Sequence, residues 1–470
     1  MIGLAEIEQI VKGELRGSDL EIDSFSIDGR HMPPKGMFVA LKGERVDGHD
    51  YVEQAVANGA VAVMLERDME SSVPTLLVKD ARIALVELAK YWRNKFIGKL
   101  IAITGSNGKT TVKEMVASIM RQCGLTLATA GNLNNELGVP LTLLRLQPQS
   151  HQYAVIEMGA NHVGEIKYLC QIAKPDISLI NNVGAAHLEG FGSIEDIVVA
   201  KSEIYHGLKE DGIAVINADD PHKKDFIANA QPHRMVQFSV SQVCDLKGEY
   251  LGASDSGKLQ IRLSTKSEET EVLLPLLGLH NVNNAVAAAA VASVAGASLL
   301  QIKQGLESAS PVPGRLNVKK GLAKTTVIDD TYNANPSSCA VALDALALFK
   351  GKKIFVLGDM GELGDDALVL HEEVGKQARE KNVDEIFCLG SLSHAAAKAF
   401  PEGQAHKYAH YEDLLEDLWA RSVNGDLAEA VILVKGSRFM KMERVVHGLT
   451  ERENKLGDAG PLNQGTVTSE

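Results

Sequence analysis

The chain has 470 residues, 45% of them hydrophobic, and a formal net charge of −13. This length predicts two to four globular domains with sizeable cores. The negative charge argues against nucleic acid or an anionic membrane surface as the main partner, since both would be repelled. The five cysteines form no CxxC pair, which is typical of a reducing compartment. We find no signal-peptide pattern and no apolar stretch suited to a bilayer, so we expect a cytoplasmic protein without membrane insertion.

Turn signals and hydrophobic periodicity predict an α/β protein of three domains. A small α/β N-terminal domain precedes a central P-loop-type domain with a mostly parallel sheet, in which short alternating runs at 235–275 predict an antiparallel patch. A Pro/Gly hinge, PVPGR, precedes a Rossmann-like C-terminal domain. The predicted spans are 1–82, 83–312 and 313–452, followed by a polar tail, 453–470, for which we expect disorder.

The segment ITGSNGKTT, residues 103–111, resembles a phosphate-binding loop with shortened spacing. The longer P-loop pattern would place a glycine where Ile103 stands. An apolar strand precedes the segment and a helical pattern follows it, so its backbone N–H groups would lie at a helix N-terminus, where anions bind well. Lys109 would then contact phosphate, and the Thr110 hydroxyl would reach Mg²⁺. The alternative is an ordinary turn with a solvated lysine, but the strand and helix around Gly-Lys-Thr favour the phosphate site.

Polar residues that follow predicted parallel strands are further candidates, because ligands gather at the carboxyl ends of such strands. Glu157 ends the strand AVIE and is either a metal ligand or a capping glutamate. His187 follows the next strand and is either a ligand or a structural histidine. Lys201 is by spacing a helix lysine, and its ammonium would be repelled by Mg²⁺ unless it were neutralised or modified.

Two further segments admit two interpretations each. The amides of Gly278–Asn284 contact a base edge or cap the Ala-rich helix that follows, and capping is the simpler interpretation. Arg315, at the hinge, either stabilises charge at a γ-phosphate or forms a hinge salt bridge.

Several motifs occur in an order that resembles the Mur ligase family of ATP-dependent amide-forming enzymes. They are TGSNGKTT, IEMGANHVGEI, NNVGAAHLEGFGSIEDI, AKSEIY, GLHNVNNAVAAAAVA, PGR, DDTYNANPSS, LGDMGELG and VKGSR. The resemblance covers nearly the whole chain and includes FVALKGERVDGHDYVEQAVANGA in the first domain. This family uses the shortened TGxxGKT loop. DDTYNANP and LGDMGELG resemble the branch that adds D-alanyl-D-alanine.

The resemblance implies specific residues for each ligand. ATP would contact Thr104, Gly105, Ser106, Asn107, Gly108, Lys109, Thr110, Thr111, His280, Asn281, Asn284, Arg315, Asp330, Tyr332 and Asn333. Two Mg²⁺ ions would be held by Thr110, Glu157, His187 and a carbamylated Lys201. The catalytic set would be Lys109, His187, Lys201 and Arg315. The UDP-linked substrate would meet Ser26, Asp28, Arg30, Lys42, Gly43, Asp47, Gly48, His49, Asn132, Asn134 and Asn135, and the incoming dipeptide would meet Lys435, Ser437 and Arg438.

The implied reaction is ATP-dependent addition of D-alanyl-D-alanine to UDP-N-acetylmuramoyl-tripeptide through an acyl phosphate. One alternative is another amide ligase of the family, either an amino-acid-adding one or a folylpolyglutamate synthase. The other alternative is a non-catalytic P-loop switch. A GTPase of this kind would have an Asn-Lys-x-Asp motif after a strand to bind its base, and the sequence has none there. We expect a monomer.

Overall fold

The computed structural model describes residues 1–44, 46–184, 188–254 and 258–450. His187 and the predicted tail at 453–470 lie outside these residues. Three units follow one another along the chain, each built around its own sheet. Within the described ranges, no helix combines the length and apolarity needed to cross a membrane.

The first unit is a five-stranded sheet with the order β2-β7-β6-β5-β4, beside a two-stranded ribbon of β1 and β3. The pairs among β4, β5, β6 and β7 are parallel, and β2 is antiparallel to β7. Its elements are β1 (Ile2–Gly3), α1 (Leu4–Val11), β2 (Glu14–Arg16), β3 (Glu21–Ile22), β4 (Ser24–Ser26), β5 (Gly36–Val39), α2 (Val52–Ala57), β6 (Ala62–Leu65) and β7 (Thr75–Leu77), with a 3-10 turn at Gly48–Tyr51.

The central unit is a nine-stranded sheet with the order β16-β15-β14-β13-β12-β11-β8-β10-β9. Its strands are β8 (Lys99–Thr104), β9 (Thr126–Ala128), β10 (Tyr153–Glu157), β11 (Ile177–Ile180), β12 (Ile213–Asn217), β13 (Arg234–Ser239), β14 (Leu246–Ala253), β15 (Leu259–Ser264) and β16 (Glu269–Leu274). Its helices are α3 (Ala81–Lys95), α4 (Lys109–Arg121), α5 (Gly138–Leu143), α6 (Glu165–Ala173), α7 (Leu188–Phe191), α8 (Ile194–His206), α9 (Lys223–Ala230), α10 (His280–Ala295) and α11 (Leu299–Glu307).

The third unit is a six-stranded sheet with the order β17-β18-β22-β19-β20-β21, parallel except for β17. Its strands are β17 (Asn317–Lys320), β18 (Thr326–Asp330), β19 (Lys353–Gly358), β20 (Glu385–Leu389), β21 (Ala405–Tyr408) and β22 (Val431–Lys435). Its helices are α12 (Pro336–Ala347), α13 (Ala367–Glu380), α14 (Tyr411–Val423) and α15 (Glu443–Thr450), with 3-10 turns at Leu322–Lys324, Gly364–Asp366, Ser393–Ala399 and Arg438–Met440.

Both faces of the central sheet are buried along β8, β10 and β11, which explains why these three strands are largely apolar. One face packs α4, α10 and α11 into a core in which the small side chains of α10 let helix and sheet approach closely. The other face shares a core with α1, α3 and the first unit. The prediction of a mostly parallel central sheet between two α/β units is confirmed. Antiparallel pairing, predicted from residue 235, begins only at β14, because β13 pairs in parallel with β12.

Arg93, near the end of α3, ties this helix to the central sheet. It is 3% exposed. Its guanidinium donates to the carbonyl oxygens of Phe96, Ala173 and Lys174 and pairs with Asp176 at 3.1 Å. Burial, the largest influence, lowers the pKa of Arg93, and Asp176 opposes this. One side chain therefore satisfies backbone acceptors that no water reaches easily.

We expect Arg93→Met to destabilise the protein, because it leaves three carbonyl oxygens and the Asp176 carboxylate with fewer donors. The cost is about 3 kcal/mol, or roughly 6–12 °C in the melting temperature of a unit of this size. Differential scanning calorimetry measures the shift. Lys90→Met, which removes an exposed ion pair on the same helix, is the control and should change little. Equal melting temperatures for the two variants would contradict the role given to Arg93.

Candidate functional site

A cavity lies where the carboxyl ends of two sheets meet. In the central sheet, β8 lies between β10 and β11, so the strand order reverses there, and such a point opens a crevice at the carboxyl edge. In the third unit, β22 lies between β18 and β19 and ends in the same region. The cavity holds about 480 Å³ and is lined by residues of the central and third units.

The P-loop forms one wall of this cavity. Gly108 has φ 78°, and a Cβ there would lie 2.6 Å from side-chain atoms of Asn181 and Asn284, so the position requires glycine. Lys109 opens α4, and its Nζ donates to the carbonyl oxygens of Gly105 (2.7 Å) and Ser106 (3.2 Å). Burial lowers the pKa of Lys109, with Glu157 opposing this and Arg315 adding to it. An anion in the cavity would favour the charged form of Lys109.

Two asparagines at the end of β11 hold the P-loop backbone. The Asn182 side chain accepts from Asn107 N–H at 2.9 Å and donates to Asn107 O at 3.0 Å. Asn181 Nδ2 donates to the same carbonyl and to Asn284 Oδ1, both at 3.0 Å. Ser106 exchanges hydrogen bonds with the Gly184 backbone. The loop is thus fixed before any ligand binds.

Glu157 carries a buried acceptor atom that suits a cation. The residue is 2% exposed, and its Oε1 accepts from Asn134 Nδ2 at 2.8 Å. Its Oε2 is buried and has no hydrogen-bond partner among the described residues. An unpartnered carboxylate oxygen is costly unless a ligand satisfies it, and hard cations prefer such oxygens. The interpretation of Glu157 as a capping glutamate is not favoured, since it ends a strand and its carboxylate faces the cavity.

Lys201 is buried on α8, 2% exposed, with its Nζ 5.8 Å from the centre of the Phe191 ring. Burial lowers the pKa of Lys201 well below its usual range, and the charge of Lys109 adds to this. A neutral amine at this position can be modified, as the sequence-based hypothesis requires. His187 lies outside the described residues. Within the part of the chain that the structure describes, no three His, Cys, Asp or Glu side chains cluster as a metal site.

Arg315 bridges the central and third units. Its Nη2 donates to Thr110 Oγ1 at 3.3 Å, and its guanidinium lies 4.3 Å from the centre of the Tyr332 ring. Its Nε is buried without a partner among the described residues. The hinge salt bridge that the sequence allowed is not among the ion pairs of the described residues, and Arg315 lines the cavity instead.

Lys435 and Asp330, assigned to different ligands in the sequence analysis, contact each other. The Nζ of Lys435, which is 2% exposed, lies 2.6 Å from Asp330 Oδ2 and donates to Asn333 O at 2.8 Å. Asp330 Oδ1 accepts from Leu316 N–H. The pair therefore fixes the ends of β18 and β22 against each other at the cavity wall.

The side-chain amides in the first turn of α10 are joined in a hydrogen-bond network. Asn284 Nδ2 donates to Asn281 Oδ1 at 2.9 Å, and Asn281 Nδ2 donates to Leu277 O at 2.7 Å. Both asparagines line the cavity, as does His280, whose pKa burial lowers to about 4. His280 is therefore neutral at pH 7 and can contact an uncharged ring such as a nucleobase.

The P-loop also contacts the third unit through Asn107. Its Nδ2 donates to Ser337 Oγ at 3.0 Å, and its Oδ1 accepts from Asn335 Nδ2 at 3.4 Å. Asn335 is the N-cap of α12, where it forms a capping box with Ser338. The start of α12 is thereby held against the P-loop.

The structure brings most of the predicted residues into this cavity. Those that line it are Ser106, Asn107, Gly108, Lys109, Thr111, Asn132, Asn134, Asn135, Glu157, His280, Asn281, Asn284, Arg315, Asp330, Tyr332, Asn333 and Lys435. Thr104, Gly105, Thr110 and Lys201 do not line it. Thr104 donates its hydroxyl to Met158 O. Ser437 and Arg438 line a second, adjacent cavity.

The residues predicted in the first unit line neither cavity and form their own local contacts. Asp28 pairs with Arg30 at 2.7 Å, which lowers the pKa of Asp28 to about 2, and Ser26 bonds to the Asp28 backbone. His49 is 3% exposed, with Nδ1 on Asp47 and Nε2 accepting from Glu66 N–H. Its ring therefore supports the turn that includes Lys42, Gly43, Asp47 and Gly48 rather than facing a ligand.

Several cavity residues were not assigned from the sequence. Asn181, Asn182, Asn335 and Ser337 fix the P-loop and line the cavity. Asn181 and Asn182 could have been predicted from the sequence, because they directly follow the apolar strand β11 at the carboxyl edge of the sheet. The contact of Asn335 and Ser337 with Asn107 depends on how the third unit packs, which no local pattern encodes.

Comparison with known proteins gives a consistent result along the chain. Family models match residues 21–100 (Mur ligase family, catalytic domain), 103–292 (Mur ligase middle domain) and 314–438 (Mur ligase, glutamate ligase domain). The UDP-N-acetylmuramoyl-tripeptide–D-alanyl-D-alanine ligase of Escherichia coli is 42% identical over 451 residues, covering 96% of this chain and 98% of the relative.

Two solved structures are also similar. A crystal structure of MurF from Acinetobacter baumannii has a TM-score of 0.85 at 38% identity and covers 94% of this chain and 97% of its own. MurF ligase from Thermotoga maritima, in complex with ADP, has a TM-score of 0.78 at 31% identity and covers 92% of this chain and 98% of its own. With all three family models matched and with this coverage and identity, the chain belongs to the Mur ligase family.

Proposed function

We propose that this chain is an ATP-dependent ligase that adds D-alanyl-D-alanine to UDP-N-acetylmuramoyl-tripeptide and so makes the pentapeptide precursor of peptidoglycan. The observation that carries the proposal is the cavity between the central and third units, in a chain 42% identical over nearly its whole length to a ligase of that name. The P-loop on one wall and the end of β22 on the other suit a reaction that joins a phosphate donor to a second substrate.

The chemistry requires positive charge. The tripeptide carboxylate must first take the γ-phosphoryl group of ATP, since a carboxylate is a poor electrophile. Two unit charges of like sign 4 Å apart repel by about 4 kcal/mol at an effective dielectric near 20. Lys109 and Arg315 both line the cavity and would supply positive charge for the phosphates. Their ammonium and guanidinium N–H donors would stabilise the negative charge that develops during the transfer.

The side chains also fit Mg²⁺. The orphan Oε2 of Glu157 and the hydroxyl of Thr110 are oxygen ligands of the kind Mg²⁺ takes, and we assign His187 and carbamylated Lys201 to the same group. Bound there, the metal would neutralise phosphate charge. Lys201 would enter that group as an anion, because carbamylation replaces its amine by a carboxylate-like group.

The incoming amine forms the C–N bond as phosphate leaves the acyl carbon. Water would compete for this acyl phosphate, so the site must be closed during the reaction. The contacts of Asn107 with Ser337 and Asn335 support closure of the third unit over the P-loop. The segment 311–315 joins these units and is the proposed pivot.

The remaining assignments follow from the substrates. We assign the UDP end to the first unit, where Ser26, Asp28, Arg30 and the turn at 42–49 would bind it, and the muramoyl part to Asn132, Asn134 and Asn135 of the cavity wall. ATP and UDP-linked substrates imply a cytoplasmic enzyme.

The alternatives make different predictions. Another amide ligase of the family would accept a different amine, and a P-loop switch would form no product. The near full-length match to a D-alanyl-D-alanine ligase favours the proposal over a folylpolyglutamate synthase.

The proposal is tested by measuring phosphate release from ATP with UDP-N-acetylmuramoyl-tripeptide, adding D-alanyl-D-alanine, L-glutamate or no amine. We expect release that depends on both the nucleotide substrate and D-alanyl-D-alanine, with the matching mass gain in the product. Lys109→Ala should lower the rate by roughly 10³-fold while binding of the UDP substrate, measured by calorimetry, persists. Arg121→Ala, an exposed change at the other end of α4, is the control. Release that responds only to another amino acid would reject the proposed acceptor.

A second prediction concerns Lys201. Because its pKa is lowered by burial, its neutral amine should add CO₂ at neutral pH, forming an N–C bond and releasing one proton. In ¹³C-bicarbonate we expect a carbamate resonance in the NMR spectrum of the wild type and of Lys224→Gln, an exposed lysine change. Lys201→Gln should lack this resonance. An unchanged resonance in Lys201→Gln would show that the carbamate lies elsewhere.

A third prediction concerns closure. Ser337→Ala removes the hydroxyl that accepts from Asn107, which costs about 1 kcal/mol and lowers the ratio of closed to open molecules about fivefold. More acyl phosphate should then be lost to water, so that phosphate released per peptide bond rises above one. Ser391→Ala, an exposed serine of the same unit, is the control. If Ser337→Ala still releases one phosphate per peptide bond, this contact does not contribute to closure.

A further inference from the structure

The end of β10 departs from regular strand pairing on the side that faces β9. Residues 153–155 pair with residues 126–128, and Thr129 N–H then donates to Val155 O at 3.0 Å. A regular parallel ladder would continue with Glu157 N–H on the carbonyl oxygen of Thr129. Instead, Glu157 N–H donates to Thr129 Oγ1 at 3.0 Å. The side chain of Thr129 therefore replaces its own carbonyl group as the partner of Glu157.

A buried lysine binds the carbonyl oxygen that this exchange frees. Lys113 Nζ donates to Thr129 O at 2.8 Å and pairs with the Glu114 carboxylate. The Lys113 side chain is 0% exposed, and a buried ammonium group is costly unless it is paired and hydrogen-bonded. Thr129 is itself 1% exposed, so its carbonyl oxygen needs a donor from the protein. Lys113 is thus the group that allows Thr129 to leave the regular ladder.

Lys113 belongs to the helix that follows the P-loop. This helix, α4, carries Lys109 and Thr110 in its first turn and Lys113 in the next. Residues three and four positions apart lie on the same side of a helix, so Lys113 is a neighbour of both. The helix that presents Thr110 therefore also reaches the backbone of Glu157, through Lys113 and Thr129.

A second contact holds the carboxylate of Glu157. Beyond Thr129 the chain passes the end of β10, where Asn134 O accepts from Gly159 N–H and Asn134 Nδ2 donates to Glu157 Oε1, both at 2.8 Å. The backbone N–H of Glu157 is thus held by Thr129 and one carboxylate oxygen by Asn134. The other oxygen, Oε2, has no partner among the described residues, so it is the one left for a cation.

We propose, on the basis of the metal assignment in the proposed function, that Lys113 and Thr129 are positioning residues for the Mg²⁺ ligand Glu157. Neither residue would touch the cation. Lys113 fixes Thr129, and Thr129 orients the end of β10 from which the Glu157 carboxylate extends. Because Lys113 and Thr110 share one helix, these contacts set the position of Glu157 relative to the Thr110 hydroxyl. Contacts of this kind orient metal ligands, and their loss typically changes metal affinity about 10- to 100-fold.

Mn²⁺ binding tests this role without turnover. Free Mn²⁺ is measured by electron paramagnetic resonance while the full chain is titrated, with a non-hydrolysable β,γ-imido analogue of ATP present and no acceptor. We expect Thr129→Val, which keeps the size of the side chain but loses the hydroxyl, to raise the Kd for Mn²⁺ about tenfold. Thr129→Ser, which restores the hydroxyl, should stay within about twofold of the wild type. Thr126→Val is the matched control on β9, because the Thr126 hydroxyl donates to Gly124 O instead, and it should keep the wild-type Kd.

The second variant is Lys113→Met, which keeps an unbranched side chain but has no ammonium group. It should raise the Kd for Mn²⁺ by a similar factor. Adding Thr129→Val should raise the Kd little further, because both residues act through the same hydrogen bonds. Lys224→Met, an exposed lysine change, is the control and should bind Mn²⁺ as the wild type does. Melting temperatures separate a loss of affinity from a loss of folding, and either folded variant decides the question.

Glu157→Gln separates the positioning role from the metal assignment. It should raise the Kd for Mn²⁺ at least as much as Thr129→Val does. A wild-type Kd in Glu157→Gln would reject Glu157 as a ligand and the positioning role with it. A raised Kd in Glu157→Gln, together with a wild-type Kd in folded Thr129→Val and Lys113→Met, would overturn the positioning role alone. Since no acceptor is present, failure of the proposed ligation would appear only in the phosphate-release assay.

Discussion

The hydrogen bonds that hold the P-loop backbone at Asn107 are the interaction on which the rest of the site depends. The carbonyl oxygen of Asn107 lies in this loop, and a buried carbonyl without donors is costly. Asn181 and Asn182 supply those donors from the end of the neighbouring strand. The loop geometry is therefore inherited from the sheet, which is rigid, rather than from the loop sequence. The same residue, Asn107, then uses its side chain to hold the third unit.

A protein with a net charge of −13 must concentrate positive charge where its anionic substrates meet. Lys109 and Arg315 both line the cavity and would do so for the phosphates we assign to it, and burial lowers the pKa of Lys109. Lys435 is different, because Asp330 already neutralises it. Of these lysines, Lys109 lines the cavity, Lys435 joins two strands and Lys201 is buried in a form that suits chemical modification. Identical side chains acquire separate roles from burial and partners alone.

The fold was largely predictable because apolar runs and turn residues report secondary structure locally. Parallel strands buried on both faces have a distinctive composition, and the glycines and lysine of the P-loop identify its anion site. Lys435 and Ser437 were less predictable. Their motif placed them near a substrate, but the ion pair of Lys435 with Asp330 and the wall contacts of Ser437 arise from strand order, which sets β22 between β18 and β19. His49 likewise has a ligand-like residue type, yet its ring is buried within its own turn.

Asn333 and Asn335 line both cavities, so closure of the third unit affects the shape of both. Asn335 caps α12, contacts the P-loop residue Asn107 and lines the second cavity. Any movement of the third unit away from the P-loop therefore moves the wall that the two cavities share. Closure would then exclude water through the same contacts that order this wall, so the binding energy of a substrate can be used to favour the closed state.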